Sequence, residues 1–351
     1  MKIYKTLTHN TTFKPFLVKN KIKQMKVLKG FAVFFLLLGA LYLVGPRVDT
    51  PELNDSPVSV PSDLMTLERW ITEKENALGN VRPGNASQFI FFDSVPKKTK
   101  FSVLYLHGFT ASGREGEPVH RDIAKALGAN LYIPRLYGHG LEETEPMLGF
   151  NNEGFWESGK EALAVAKQLG EKVIVLGTSH GGALSLSLGA DPTIAALCLF
   201  SPNIAVYDSN SKLLSKPWGL QIARLVKGGN YHYMVTSNEE KKNYWTTKAR
   251  LESLTHMQKF LDVKMRKATF KKVQAPVFLG YYYKNDSLQD QVVSVPAMLE
   301  MYDQLGTPEH LKLKKAFPEA GDHVLTSYLS TENYEAVTRE VLEFLTDILT
   351  L

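Results

Sequence analysis

A Gly-x-Ser-x-Gly sequence limits the possible folds of this chain more than any other feature. It lies where an apolar run ends and a helical pattern begins. Residues 173–176 read Val-Ile-Val-Leu, residues 177–181 read Gly-Thr-Ser-His-Gly, and a helical pattern begins at Gly182. A strand, a tight turn and a helix with serine at the apex fit the G-x-S-x-G nucleophile elbow, in which larger side chains beside the serine would collide. We therefore expect Ser179 in a strained turn with its hydroxyl exposed.

Strands and helices alternate on both sides of this turn. Most of the predicted strands are continuous apolar runs, which is typical of strands buried on both faces. In chain order we predict strands 88–92 and 101–106, helix 117–127, strand 130–136, helix 154–169, strand 172–176, helix 182–188, strands 195–200 and 275–283, helix 295–305, strand 311–317 and a helix from residue 333. This order predicts an α/β fold with a mostly parallel central sheet flanked by helices.

The alternation stops between about residues 203 and 272. Basic and aromatic segments occur there without a strand pattern, as in Lys216-Pro217-Trp218 and Tyr244-Trp245. We interpret this segment as an inserted helical cap over the carboxyl edge of the sheet.

The positive charge of the chain is concentrated at its N-terminus. The formal net charge is +5, but the first 29 residues contain eight lysines and no acid, which leaves a net charge of −3 for the rest. A mildly acidic body argues against nucleic-acid binding, whereas lysines before an apolar stretch are typical of a membrane-inserted segment with its N-terminal side in the cytoplasm.

The uncharged stretch from Gly30 to Gly45 suggests how the chain is divided. We expect a cytoplasmic basic segment at 1–26, a single-pass transmembrane anchor or signal sequence at 27–45, a proline-rich linker at 46–62 and the α/β domain at 63–351 outside the cytoplasm. A buried core helix is the third reading of the apolar stretch, and Met25 is an alternative start. Asp63 is a suitable N-cap for the first helix of the domain.

A serine nucleophile needs a histidine base and a carboxylate that orients the histidine. His323 lies in Gly-Asp-His after the last predicted strand, where a loop reaches the same sheet edge as Ser179. Two aspartates follow the preceding strand. We prefer Asp290, because the apolar pair in Asp-x-Val-Val would pack down and direct the carboxylate inward, and we keep Asp286 as the alternative acid.

An oxyanion hole needs two backbone amides near the serine. The amide of His180 is one candidate, because it opens the helix after Ser179. The amide of Phe109 is the other, because His107-Gly108-Phe109 follows an early strand and the glycine allows a close approach. We interpret His107 and His139 as loop-bracing residues. The sequence is compatible with two placements, on the surface or at the pocket mouth, for Arg114, Glu115 and Glu117.

Together these motifs resemble the α/β-hydrolase superfamily. The set His-Gly-Phe, Gly-His-Gly, Gly-Thr-Ser-His-Gly-Gly, Asp-x-Val-Val and Gly-Asp-His follows the order Ser, Asp, His of that superfamily. It is most similar to the monoglyceride-lipase and carboxylesterase-like branch and to membrane-anchored bacterial members. The resemblance spans about residue 101 to the C-terminus and implies the fold, the triad roles and the cap. Extra length between Tyr283 and Val292 departs from the pattern and keeps both aspartates as candidates.

We therefore predict a serine hydrolase that cleaves a carboxylic ester, as a carboxylesterase or monoacylglycerol lipase does, through an acyl-enzyme. The aromatic-rich cap and the anchor favour a small-molecule acyl ester or a lipid as substrate. Alternatives are an acyltransferase or thioesterase on the same triad, or a non-catalytic binding protein of this fold. No metal and no organic cofactor is expected, because His-Glu-x-x-His and clustered Cys/His spacings do not occur in the sequence.

Overall fold

The computed structural model describes residues 13–349, which form two compact units that divide between Arg47 and Val48. The first unit contains one helix, α1 (Phe13–Leu43). Its part from Lys23 to Leu43 is long and apolar enough to cross a membrane, and none of that part is buried against protein. Leu36 and Leu43, for example, are 72% and 69% exposed.

The second unit is built on a seven-stranded sheet. Its strand order is β1-β3-β2-β4-β5-β8-β11, and all neighbours are parallel except β1, which runs antiparallel to β3. The sheet strands are β1 (Gln88–Ile90), β2 (Thr99–Leu106), β3 (Asn130–Ile133), β4 (Gly170–Thr178), β5 (Ile194–Phe200), β8 (Val277–Tyr281) and β11 (Lys312–Ala316). This arrangement confirms the predicted α/β fold with a mostly parallel sheet.

Helices cover both faces of the sheet. The helices of this unit are α2 (Leu64–Leu78), α3 (Val119–Ala126), α4 (Asn152–Leu169), α5 (His180–Leu188), α6 (Gly219–Lys227), α7 (Lys241–Tyr244), α8 (Leu251–Lys264), α9 (Lys267–Phe270), α10 (Val295–Asp303) and α11 (Tyr334–Leu349), of which α6 and α7 lie in the segment between β5 and β8. Side chains of α3 and α11 form the core on one face, and those of α2, α4, α5, α8 and α10 form the core on the other. The first helix of this unit begins as predicted, with Asp63 Oδ1 accepting the Thr66 amide at 2.9 Å.

Strand β2 shows why the apolar runs are continuous. Leu104 and Leu106 belong to one core, whereas Val103 and Tyr105 belong to the other. Successive side chains of a strand point to opposite faces, so a strand covered on both faces needs apolar residues at every position.

Two segments contain strands that the sequence does not predict. The segment between β5 and β8 contains a short antiparallel pair, β6 (Tyr231–Tyr233) and β7 (Lys248–Arg250), although no strand was expected there. The Tyr231 ring lies 4.0 Å from Lys248 Nζ and 5.5 Å from Arg250, and such cross-strand cation–aromatic contacts stabilise a pair too short to show a periodic pattern.

The second difference lies after β8. The predicted strand 275–283 ends at Tyr281, and a small hairpin of β9 (Tyr283–Asn285) and β10 (Leu288–Gln289) follows. This hairpin accounts for the extra length noted in the sequence before Val292.

The proline-rich segment contacts the second unit along α4. Trp156 Nε1 donates to the carbonyl of Asn54 at 2.7 Å, and Lys160 Nζ donates to that of Ser56 at 2.9 Å. Leu53 and Val60 pack against the core. The part of this segment after Arg47 thus belongs to the compact second unit.

Candidate active site

Ser179 lies between β4 and α5 with φ 53° and ψ −118°. A positive φ is uncommon for a residue other than glycine and indicates a strained turn. The flanking glycines have no room for a side chain: a Cβ on Gly181 would lie 2.0 Å from the carbonyl oxygen of Leu106, and one on Gly177 would lie 2.2 Å from Ser185 Oγ. Ser179 is only 7% exposed, so its hydroxyl is reached through the cavity that it lines.

Asp290 and His323 meet in this cavity. Asp290 follows the hairpin after β8, His323 follows β11, and His323 Nδ1 donates to Asp290 Oδ2 at 2.6 Å. The other carboxylate oxygen of Asp290 accepts the amides of Val292 and Val293 at 2.8 and 3.0 Å. These two amides fix the direction of the carboxylate. Of the expected apolar pair, only Val293 packs inward, whereas Val292 is 52% exposed.

The charges of this pair support each other. Burial opposes ionisation of Asp290, but the His323 charge, its hydrogen bond and the two amides hold the pKa of Asp290 below its usual value. Burial also opposes protonation of His323, yet the charge and hydrogen bond of Asp290 raise the pKa of His323 above its usual value. The pair therefore favours an ionised carboxylate and an imidazole that readily accepts a proton.

The second ring nitrogen of His323, Nε2, is not used by the contact with Asp290. It is buried and has no hydrogen-bond partner within residues 13–349. His323 and Ser179 line the same cavity, which has a volume of about 720 Å³.

Asp286 lies elsewhere. It is exposed in the turn of the β9–β10 hairpin, where its Oδ1 accepts the hydroxyl of Tyr283 at 2.8 Å. The structure brings His323 together with Asp290 and leaves Asp286 at the surface.

The two candidate oxyanion residues are neighbours. The Phe109 ring contacts the His180 ring edge-on at 6.0 Å between centroids. As the first residue of α5, His180 has an amide with no acceptor inside the helix. The His180 ring does not face the cavity, because it stacks on Phe155 at 4.6 Å and packs edge-on against Phe260 at 5.2 Å.

His107 braces the loop that carries Phe109. Its Nε2 accepts the Leu136 amide at 3.1 Å, and its Nδ1 lies 3.0 Å from the carbonyl oxygen of Gly108. A backbone amide can only donate, so Nε2 is unprotonated and Nδ1 carries the hydrogen. His139 similarly places Nδ1 2.8 Å from the carbonyl oxygen of Tyr137.

The comparisons with known proteins identify the family and the fold. A model of the alpha/beta hydrolase family matches residues 103–338, which is most of the second unit. The chain belongs to the alpha/beta hydrolase family. No curated protein matches the sequence at a significant level.

Solved structures share the α/β-hydrolase fold. A metagenome-derived lipolytic enzyme, from a study of LipS and LipT, is 18% identical with a TM-score of 0.60, over 76% of this chain and 99% of that one. A soluble variant of monoglyceride lipase from Saccharomyces cerevisiae is 13% identical with a TM-score of 0.54, over 75% and 96%. The monoacylglycerol lipase of Paleococcus ferrophilus is 14% identical with a TM-score of 0.52, over 74% and 98%.

Of the three residues whose placement the sequence leaves open, Glu115 lines the cavity of this α/β-hydrolase. Glu115 is 3% exposed and lines the cavity, whereas Arg114 and Glu117 form an ion pair of 2.9 Å nearer the surface. The flanking glycines were the available signal: a Cβ on Gly113 would lie 2.3 Å from a core side chain, and one on Gly116 would lie 2.4 Å from another. They indicate a turn pressed into the core, with Glu115 inside it.

Four buried histidines make the stability of this α/β-hydrolase sensitive to acid. Burial lowers the pKa of His107 to about 4, that of His120 and His180 to about 3, and that of His139 well below its usual value. Each imidazole takes up a proton near pH 6.5 in the unfolded chain but not in the folded one, so stability is lost as the pH falls below about 6.5. Glu115 has the opposite effect on stability. Burial raises its pKa to about 7, so the folded chain takes up this proton at a higher pH than the unfolded chain does, and the folded state gains stability as the pH falls.

We therefore expect the free energy of unfolding to fall steeply between about pH 6.5 and 4.5. The unfolded chain takes up more protons than the folded chain in this range, so the slope should exceed that of one titrating group, which is about 1.4 kcal/mol per pH unit. Urea unfolding at several pH values measures this slope. His120→Gln should make the slope shallower, and His310→Gln, at an exposed position, is the control. A stability that is constant from pH 7 to 5 would contradict the prediction.

Proposed function

We propose that this α/β-hydrolase is a serine ester hydrolase in which Ser179 attacks the carbonyl carbon of a carboxylic ester. The observation that carries the proposal is the 2.6 Å hydrogen bond between His323 and Asp290, placed in the cavity that Ser179 lines. Membership of the family and the fold shared with lipolytic enzymes support it.

In the proposed reaction, His323 Nε2 removes the proton of the Ser179 hydroxyl as the oxygen attacks. Asp290 keeps the hydrogen on Nδ1, so Nε2 is the basic nitrogen, and stabilises the imidazolium that forms. The imidazolium then protonates the departing alcohol, and the ester bond breaks to leave an acyl group on Ser179. Water, deprotonated by the same histidine, releases the acid and restores the serine.

The tetrahedral intermediates carry negative charge on the former carbonyl oxygen. We assign the amides of Phe109 and His180 to this oxygen. Donors fixed by the fold need no rearrangement when the charge develops, which is why such amides contribute strongly to the rate.

The walls of the cavity favour an acyl chain. Apolar side chains from several parts of the domain line it, namely Phe109, Val206, Met234, Val235, Trp245, Leu254, Met257, Leu288, Val292 and Val324. A cavity of about 720 Å³ with mostly apolar walls suits a ligand of moderate size with a few polar atoms. We propose a lipid ester or a medium-chain acyl ester as the substrate class.

We expect Asp290→Asn to lower kcat for a p-nitrophenyl acyl ester by about 10⁴-fold, because the amide would favour the wrong histidine tautomer. Ser179→Ala should abolish turnover and labelling by a fluorophosphonate probe. Asp286→Asn is the matched control and should stay near wild type, because the Asp286 carboxylate is exposed and accepts a hydrogen bond from Tyr283 rather than from His323. The measurement uses the full-length chain in detergent and esters of several chain lengths. Failure of folded wild type to hydrolyse any of them would contradict the proposal.

We also propose that α1 anchors the enzyme in a membrane, with the N-terminus in the cytoplasm and the hydrolase domain outside. Apolar side chains are exposed along Lys23–Leu43, and such a surface is stable in hydrocarbon rather than in water. Lys21, Lys23, Lys26 and Lys29 precede the uncharged stretch, and basic residues remain on the cytoplasmic side.

Cell fractionation tests this placement. The full-length chain should sediment with membranes and resist extraction by high salt, and deletion of residues 1–46 should release the domain. Protease added to intact cells stripped of any outer wall should digest the domain and spare a cytoplasmic control protein. A mature N-terminus that begins after residue 40 would show instead that the segment is a cleaved signal sequence.

A further inference from the structure

Glu115 is a second buried carboxylate beside the proposed nucleophile. It lies in a short 3-10 turn (Gly113–Gly116) just after the loop that carries Phe109. Its Oε2 accepts two hydrogen bonds, from the amide of Gly108 at 2.6 Å and from the hydroxyl of Tyr105 at 3.1 Å. The carboxylate therefore holds the peptide unit that immediately precedes the Phe109 amide.

Glu115 and Ser179 approach the same face of Gly108. A Cβ on Gly108 would lie 2.8 Å from Glu115 Oε1 and 3.0 Å from Ser179 Cβ. Both residues line the cavity. A carboxylate in this place acts on the reaction centre at short range.

The backbone of the same turn is tied to the loop after His323. Thr326 Oγ1 donates to the carbonyl of Glu115 at 2.8 Å, and the Tyr328 amide donates to that of Glu117 at 3.1 Å. The oxyanion loop and the histidine loop are thus joined through the segment that contains Glu115.

No ion pair within residues 13–349 neutralises Glu115. The groups that face it are Tyr105 of β2, Lys241 of α7 and His323 after β11. Lys241 is engaged elsewhere, because its Nζ donates to Ser330 Oγ at 2.7 Å and lies 3.9 Å from Asp322. Burial raises the pKa of Glu115 to about 7, against the hydrogen bond from Gly108, which lowers it.

The two hydrogen bonds that Glu115 accepts do not by themselves require a carboxylate. A glutamine could accept the same two hydrogen bonds through its amide oxygen, without the free-energy cost of burying a carboxylate that lacks a cationic partner. The charge has a use if it stabilises the imidazolium of His323, which also faces Asp290 and Asp322.

We propose that Glu115 is a positioning residue for the ester hydrolysis proposed above: its carboxylate fixes the oxyanion loop through the Gly108 amide, and in its ionised form its negative charge favours the protonated form of His323. The inference rests on that proposed function. Glu115 thus has two separate effects. One depends on the length of its side chain, and the other depends on its charge.

Two variants of the full-length enzyme separate these effects. Glu115→Gln keeps the length of the side chain and removes its charge. The pKa of Glu115 is about 7, so the wild-type carboxylate is partly ionised where His323 titrates, and the acid limb of the kcat/KM profile should move to lower pH in the variant because His323 loses this negative charge. Above about pH 8, where wild-type Glu115 is ionised, kcat of the variant should be about tenfold lower with KM little changed, since a neutral acceptor holds the Gly108 amide less firmly and the oxyanion hole acts in the transition state. Glu115→Asp keeps the charge and loses the reach, so kcat should fall while the acid limb stays in place.

The control is Glu117→Gln, which removes a carboxylate two residues away that pairs with Arg114. It should change neither kcat nor the pH profile. A folded Glu115→Gln enzyme with wild-type kcat and an unmoved acid limb would overturn the proposal. If that variant does not fold, wild-type kcat in folded Glu115→Asp would overturn it. Absence of turnover in wild type would instead reject the ester hydrolase function itself.

Discussion

The turn at Ser179 is the constraint on which the rest of the domain depends. A serine at φ 53° is stable here because the surroundings hold both of its backbone groups: its amide donates to the carbonyl of Phe200 at 2.9 Å, and its carbonyl accepts the Asn203 amide at 2.8 Å. Gly181 lies directly against the carbonyl of Leu106. The turn thus joins the ends of β2, β4 and β5, so the strain at the serine is offset by the sheet that surrounds it.

Asp290 and His323 line the same cavity as Ser179 because parallel strands end at one edge of the sheet. Asp290 comes after β8 and His323 after β11, two neighbouring strands, and β8 also lies beside β5. Backbone amides then aim the Asp290 carboxylate, and the carboxylate orients the imidazole. Each step uses rigid backbone to restrict the next side chain, which is how a site retains its geometry without a substrate.

The sequence predicts well what depends on periodicity and on local turn chemistry. The alternation of apolar strands and amphipathic helices predicted the parallel sheet, and the Asp63 cap and the elbow motif were readable from a few residues each. It predicts poorly what depends on contacts between distant segments. The β6–β7 pair is held by rings and cations across strands, and whether Glu115 lies inside or outside follows from packing that only the folded chain contains.

We propose that Ser179, His323 and the amides of Phe109 and His180 form one reaction centre. A crystal structure of the enzyme inactivated with an alkyl phosphonate would show whether they do, because the phosphoryl group imitates the tetrahedral intermediate. We expect phosphorus bonded to Ser179 Oγ, its phosphoryl oxygen within hydrogen-bond distance of both amides, and His323 Nε2 beside Ser179 Oγ. Phosphorus on another residue, or a phosphoryl oxygen turned away from both amides, would contradict it.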